Sequence, residues 1–211
     1  MLYRFALFLS LLAAPVLAQA PPTASAAPAP VAPAPQFATV KVALETSLGT
    51  ITVAVEVQRA PITAANFLRY VDQKRLDGTS FYRADPIQPD FGLIQGGTRN
   101  DPKRVLKPIA NEPTSKTGLS NKDGAISMAR GGPGTATGDF FIIVGDMNAL
   151  DAKPDQPGDN EGYSVFGHVI DGMDVVHKIM GSPTDPNAGE GVMKGQMLLP
   201  KIVILHAHRV S

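Results

Sequence analysis

The chain of 211 residues has no cysteine and no tryptophan. Without cysteine it can form no disulfide, no zinc–thiolate site and no thiol nucleophile, and the redox compartment stays undetermined. It also lacks a surplus of either charge, with 19 Lys and Arg against 19 Asp and Glu. No basic patch appears, so nucleic acid is not an expected partner. Charge is scarcest at the start, where Arg4 is the only charged residue before Lys41. The apolar run Phe5–Ala18, broken by Ser10 and Pro15, is too short to cross a bilayer as a helix. Glycine (20) and proline (19) are plentiful instead, which favours many short strands joined by tight turns.

The apolar run ends in small residues, as a secretory signal does. Val16-Leu17-Ala18 places cleavage after Ala18; Ala20 also fits, but Pro21 follows it directly. An uncleaved membrane anchor is the other reading. Residues 1–18 are thus expected to be a signal peptide, residues 19–36 a Pro/Ala-rich linker, and residues 37–211 the folded domain. The linker has no charge and its prolines favour extended polyproline geometry, so it is either a spacer or an unstructured tail. The expected location is exported and periplasmic, with no stable membrane insertion after cleavage.

From Phe37 onward the pattern is mainly β. Val40, Val42 and Leu44 alternate with Lys41, Ala43 and Glu45, and Ile51, Val53, Val55 and Val57 alternate after the turn Ser47-Leu48-Gly49. Ala60-Pro61 opens a helix whose apolar face is expected to be Ile62, Ala65, Leu68 and Val71, with Phe67 adjoining. Strands are expected near Phe81 and Leu93, at 125–129, 140–144, 163–169 and 202–205. A second helix at 173–180 is stopped by Gly181. The segment 101–122 reads as surface loop. Eight strands and two helices are too few helices for parallel crossovers, so the expected fold is a mainly β, closed, eight-stranded antiparallel barrel capped by two α-helices.

The chain is organised around Phe81–Gly97, FYRADPIQPDFGLIQGG. Two adjacent strands bring a guanidinium (Arg83) and a neutral amide (Gln95) to one sheet face beside apolar side chains. Ile126–Val144 has the same character, two apolar strands around a Gly/Pro/Thr loop. These blocks, with Ser127-Met128-Ala129, Gly138-Asp139-Phe140-Phe141-Ile142, Val165-Phe166-Gly167 and Asp171-Gly172-Met173-Asp174-Val175-Val176, resemble in order the cyclophilin-type peptidyl-prolyl cis-trans isomerases, from about Val40 to the last strand.

The resemblance implies an enzyme that accelerates X–Pro isomerisation during folding of exported proteins, with no cofactor and no metal. It acts on proline-containing polypeptides and is expected to be a monomer. The alternatives are a non-catalytic proline-peptide-binding or chaperone module on the same barrel, or a barrel carrying a ligand in its lumen. Arg83 matches the catalytic arginine and Gln95 the glutamine that holds it and the substrate backbone. Leu93, Phe141, Leu150 and Tyr163 match the proline pocket. Ala129, Arg130 and Gly131 match the segment that pairs with the peptide backbone.

The pattern also departs from the family. The position three before the glutamine, usually phenylalanine, is Gly92, with Phe91 one residue earlier. Either Phe91 reaches the pocket through a bulge or one wall is missing. Arg130 stands for a usual asparagine and Asp139 for a usual glutamine; pairing of Asp139 with Arg83 or Arg130 is expected to alter peptide preference. A position that often carries tryptophan falls at Ala149, which implies weak cyclosporin binding. Asp151, Asp155, Asp159 and Glu161 form an acidic loop, read as solvated rather than calcium-binding because the spacing fits no defined loop. His206 and His208 share a strand face, read as an exposed strand end in preference to a metal site.

Overall fold

The structure, a computed structural model, describes residues 36–211. The expected signal peptide (1–18) and all of the linker (19–36) but Gln36 lie outside the described residues. The elements are β1 (Val40–Thr46), β2 (Gly49–Val55), α1 (Pro61–Asp72), β3 (Ser80–Gln88), β4 (Phe91–Gly97), α2 (Thr114–Thr117), β5 (Ala125–Met128), β6 (Asp139–Val144), β7 (Val165–Asp171), α3 (Met173–Met180), β8 (Thr184–Asp185) and β9 (Met197–Val210).

Neighbouring strands run β1-β2-β7-β5-β6-β4-β3-β9, all antiparallel, and β1 pairs with β9 to close the ring. Eight strands therefore form a closed barrel, and β8 is a two-residue addition on β9. Closure depends on the length of β9. Its first half pairs with β3 and its second half with β1, so one strand of 14 residues bridges both sides of the seam. The expected strand at 202–205 was the middle of this longer one.

Strand alternation sends Val42, Leu44, Ile51, Val53, Phe81, Ile94, Ile126, Phe140, Ile142, Phe166 and Ile204 into one buried core. Phe67 from α1 reaches into it, edge-on to Phe140 (5.6 Å between ring centres) and tilted against Phe166 (5.0 Å). Such edge contacts suit the aromatic quadrupole.

The helices differ from expectation in two respects. There are three, because one turn, α2, forms inside the segment read as surface loop, where Glu112, Thr114 and Asn121 are also buried. The buried face of α1 is Thr63, Ala64, Phe67, Leu68 and Val71, while Ile62 and Ala65 are exposed. The rotation has a physical cause. Glu112, fifty residues away, accepts from the N–H of Ile62 (3.1 Å) and from the N–H and hydroxyl of Thr63 (both 2.6 Å). A carboxylate on the free N–H groups of a helix start is favoured by hydrogen bonding and by the helix dipole, and it turns Thr63 inward. Pro61 sits at the start of α1 as expected.

Candidate active site

The same alternation that fills the barrel leaves an outward face on β4, β6, β5 and β7, and on β3 a register irregularity between Phe81 and Arg83 turns Arg83 to that face although Phe81 is in the core. Register places Met197, Arg83, Gln95, Phe141 and Ser127 side by side on consecutive strands. Adjacent strands are about 4.8 Å apart, so the backbones carrying Arg83 and Phe141 are roughly 10 Å apart, with Gln95 between them.

Arg83 is held from three sides. Its Nε donates to Gln196 Oε1 (2.7 Å), Nη1 to Gln95 Oε1 (2.9 Å) and Nη2 to Asp85 Oδ2 (3.2 Å). Gln95 in turn donates through Nε2 to the Tyr82 hydroxyl (2.8 Å), which fixes which end of its amide faces the arginine. The Tyr82 phenol is pushed well above its usual range, first by burial and then by the negative charge of Asp139. It therefore stays a neutral hydroxyl. The guanidinium is permanently charged, and of its five N–H bonds two remain, one on each terminal nitrogen.

Beside this polar rung lies a second apolar cluster, separate from the core. Ala125, Phe141, Ile143, Met147 and Val165 form its floor, and Phe91, Leu93, Leu119, Ala129, Leu150 and Tyr163 pack against it half-buried. Phe141 and Tyr163 meet edge to face at 5.3 Å. The expected pocket residues Leu93, Phe141, Leu150 and Tyr163 are thus together, although Tyr163 lies just before β7 rather than in it.

The position of Phe91 is also resolved. A side chain at Gly92 would put a Cβ 2.2 Å from the Asp85 carbonyl oxygen, so no phenylalanine fits there. An irregularity in the β3–β4 register between Pro86 and Gln88 lets Phe91 pair with Gln88. Phe91 then shares the outward face with Leu93 and Gln95 and lies over Gly145. Phe91 thus packs on the outer apolar cluster from one residue earlier than the family's position.

Two expectations at the rim are corrected. Asp139 pairs with neither Arg83 nor Arg130. It is buried, its carboxylate accepts the N–H of Arg99 (2.7 Å), and burial raises its pKa above the usual carboxylate range. The carboxylate beside Arg83 is Asp85, and the one beside Arg130 is Asp159. Arg130 donates to both Asp159 oxygens (2.6 and 2.9 Å) and to the Gly162 carbonyl (3.0 and 2.6 Å), and its guanidinium lies 5.2 Å from the centre of the Tyr163 ring. Its side chain thus clamps the 151–162 loop against the pocket. In the expected peptide-pairing segment, Gly131 N–H is taken by Thr135 Oγ1 (3.0 Å) and Ala129 N–H by the Asp139 carbonyl (2.9 Å). Among the described residues the backbone N–H and C=O of Arg130 have no partner.

A cavity of about 290 Å³ adjoins the apolar cluster and is lined by Arg130, Gly131, Ala149, Leu150 and Tyr163, among others. A larger one, about 470 Å³, opens on the other side of Tyr82, between Arg99, Met193, Met197 and Lys201. The smaller carries four of the expected peptide contacts, Arg130, Gly131, Leu150 and Tyr163, and the larger none. In the acidic loop, Asp151 accepts from Asn121 N–H (2.8 Å) and Nδ2 (2.7 Å), so with Asp159 two of its carboxylates are committed to protein donors. Among the described residues no group of three or more metal-capable side chains forms. His206 lies by Asp77 (3.4 Å) and His208 by Glu45 (3.9 Å), on the outside of β9.

Residues 41–208 match the model of the cyclophilin type peptidyl-prolyl cis-trans isomerase/CLD family. The chain belongs to the cyclophilin-type peptidyl-prolyl cis-trans isomerases. It is 42% identical over 152 residues to a peptidyl-prolyl cis-trans isomerase of Acinetobacter baylyi, covering 70% of this chain and 76% of the relative. It is 37% identical over 147 residues to peptidyl-prolyl cis-trans isomerase B of Escherichia coli, covering 68% and 85%. A crystal structure of a Cryptosporidium parvum cyclophilin type isomerase superposes with a TM-score of 0.65 over 82% of this chain and 99% of that one; at 22% identity it speaks to the fold. The activity is that of an enzyme, the cis–trans isomerisation of peptidyl-prolyl bonds, and a purely binding role is not favoured.

Sequence reading missed four contributors to this site. Asp85 could have been found, since it lies two residues from Arg83 on the same strand face. Tyr82 was read only as part of a motif. Gln196 lies 113 positions from Arg83, and Met147 lies in a connection, so neither carries a local signal.

Proposed function

We propose that the outward face of β3, β4 and β6 is where the prolyl bond is turned, with Arg83 as the catalytic group. Isomerisation of an X–Pro amide is opposed by a barrier of roughly 18–20 kcal/mol, because rotation breaks the resonance of the C–N bond. It makes and breaks no covalent bond and transfers no proton, so the chemistry calls for no cofactor. The catalyst must hold the twisted amide better than either planar form. In the twisted state the prolyl nitrogen regains its lone pair and accepts a hydrogen bond. Arg83, always protonated and already fixed on three acceptors, presents its two remaining N–H bonds to that nitrogen with little rearrangement.

The proline ring is seated on Phe141, Leu93, Phe91, Leu150 and Tyr163, which exclude the water that favours the polar planar amide. The second N–H of the Gln95 amide holds a substrate carbonyl. The backbone N–H and C=O of Arg130 pair with the extended peptide as an added strand would. Asp139 acts from behind, shaping the turn at Gly97, where a side chain would meet the Asp139 carboxylate at 2.6 Å. The observation that carries this reading is the rung itself, with Arg83 bonded to Gln95 and Gln95 in register with Phe141. The Cryptosporidium protein, also solved in the presence of the dipeptide Ala-Pro, gives a probe. Titrating an Ala-Pro peptide into the labelled protein is expected to move the resonances of Arg83, Phe91, Leu93, Gln95, Arg130 and Phe141. Shifts confined to the cavity beyond Tyr82 would overturn the assignment.

The apolar start and Pro/Ala linker support export to the periplasm, where the enzyme acts as a monomer on newly translocated chains. Cell fractionation and N-terminal sequencing test this. The expected mature chain begins at Gln19; a cytoplasmic protein that retains Arg4 would refute it.

A further inference from the structure

Arg83 is the end of a closed hydrogen-bonded ring that the family's two-residue arginine–glutamine pairing does not describe. Its Nε and Nη2 donate to Gln196 Oε1 and Asp85 Oδ2, and Gln196 Nε2 donates to Asp85 Oδ1 at 2.9 Å, joining the two acceptors to each other. Gln196 is itself anchored, because its carbonyl accepts the Ala84 N–H at 3.0 Å. The arginine side chain is 15% exposed and the Asp85 side chain 22%. In such a ring no side chain can rotate without breaking two hydrogen bonds, and partial desolvation strengthens each of them.

We propose that Asp85 and Gln196 are positioning residues for catalysis. They lock the guanidinium plane so that its two free N–H bonds face the prolyl nitrogen, and the Asp85 charge holds the arginine on its own strand when no peptide is bound. The proposal rests on the reading of Arg83 as the catalytic donor. A carboxylate at 85 and an amide at 196 are required as a pair, because the ring needs one acceptor-only group and one group that both accepts and donates.

That requirement supplies the test. Asp85→Asn leaves two amides and removes the charge-assisted bond; Gln196→Glu sets two carboxylates against each other, where both cannot stay ionised at close range. Combining them exchanges carboxylate and amide between the two positions. Glu at 196 then accepts from Arg83 Nε and from Asn at 85, which accepts from Nη2, so all three bonds and the net charge return. Each single variant is expected to lower kcat by about 5- to 10-fold, less than the full loss of one charge-assisted hydrogen bond because the other bonds of Arg83 remain, with KM nearly unchanged. The double variant is expected to return to within about twofold of wild type. In parallel, the Arg83 Nε–H resonance, assigned by its loss in Arg83→Lys, is expected to exchange slowly with water in the wild type. It is expected to exchange faster in each single variant and slowly again in the double.

A purely structural ring would lower the unfolding temperature of the singles and speed Nε–H exchange while leaving kcat alone, which would overturn the proposal. So would a double variant no better than the worse single. If Gln196→Glu does not fold, Gln196→Met keeps the length, removes both polar atoms, and is expected to reproduce the loss of kcat. Should Arg83→Ala itself turn over peptide like the wild type, it is the assignment of Arg83 that fails; if Arg83→Ala is inactive while Asp85→Asn is unchanged, it is the ring.

Discussion

Replacing Arg83 by alanine isolates the electrostatic part of catalysis. The side chain is 15% exposed and committed to three protein acceptors, so its loss leaves the apolar seat of Phe91, Leu93, Phe141 and Tyr163 in place. A hydrogen bond from a charged donor contributes about 1.5–3 kcal/mol net. A fixed donor aimed at charge developing in a transition state contributes about 2.7–4 kcal/mol. Taking about 2–4 kcal/mol together, and tenfold in rate per about 1.4 kcal/mol, kcat/KM is expected to fall by roughly 30- to 1,000-fold. Arg83→Lys keeps the charge but offers donors from a single nitrogen, which cannot meet Gln196, Gln95 and Asp85 at once; roughly a tenfold loss is expected. The assay follows cis-to-trans relaxation of an Ala-Pro peptide at 10 °C, where the uncatalysed reaction takes minutes. Peptide affinity is expected to change by less than about threefold, since the seat survives. An alanine variant with more than a third of wild-type kcat/KM would refute the reasoning, because among the rung residues Met197, Arg83, Gln95, Phe141 and Ser127 the one cation is Arg83.

Three further outcomes follow from the geometry. Phe91→Ala removes one wall of the seat and is expected to raise KM about tenfold with a smaller change in kcat, read from saturation kinetics; an unchanged KM would show that Phe91 does not touch the proline. Glu112→Ala leaves the first N–H groups of α1 and the Thr63 hydroxyl without their acceptor, at a cost of about 2–4 kcal/mol, seen as a lower unfolding temperature with kcat/KM intact below it. Asp139→Asn keeps the acceptor for Arg99 N–H but not the buried charge. Because burial raises the folded-state pKa of Asp139 above its unfolded value, ionising it costs stability that grows as pH rises from the unfolded pKa through the folded one. The asparagine variant is therefore expected to gain on the wild type between acid and neutral pH; a difference independent of pH would contradict this.

The barrel was legible because its strands alternate cleanly. Val40–Leu44 and Ile51–Val57 each declare an inner and an outer face without tertiary information, while Phe140–Val144, apolar throughout, declares a strand but not its faces. The pairing of Arg83 with Gln95 was legible from two adjacent short strands, but parity alone would put Arg83 on the side of the core residue Phe81; the irregularity between Phe81 and Arg83 turns it outward, and Phe141 was placed by the family resemblance. What escaped is what depends on contacts between distant segments. The buried face of α1 is set by Glu112, and periodicity alone chose Ile62 and Ala65 instead. The partner of Arg130 is decided by the folding back of the 151–162 loop, so proximity in motif space suggested Asp139 where the chain supplies Asp159. Phe91 lay between the two: its aromatic character was plain, but only the bulge opposite Pro86 decides which way it points.

The two apolar clusters divide the work of one sheet. Phe140, Ile142 and Val144 of β6 belong to the core, and Phe141 and Ile143 between them belong to the outer cluster. A substrate groove built this way needs no lid and no hinge to form, since the pleat that packs the barrel also points Phe141 outward. It has a consequence for substitution. Core side chains such as Phe140 and Phe81, 5.8 Å apart edge to face, are expected to bear on stability first, and the outward Phe141 and Arg83 on turnover first. The polar ring behind Arg83 then matters more than its exposure suggests. The sheet fixes where the arginine leaves the backbone, but only Asp85, Gln95 and Gln196 fix where its charge ends, about six bonds further out, and a prolyl nitrogen feels the second of these.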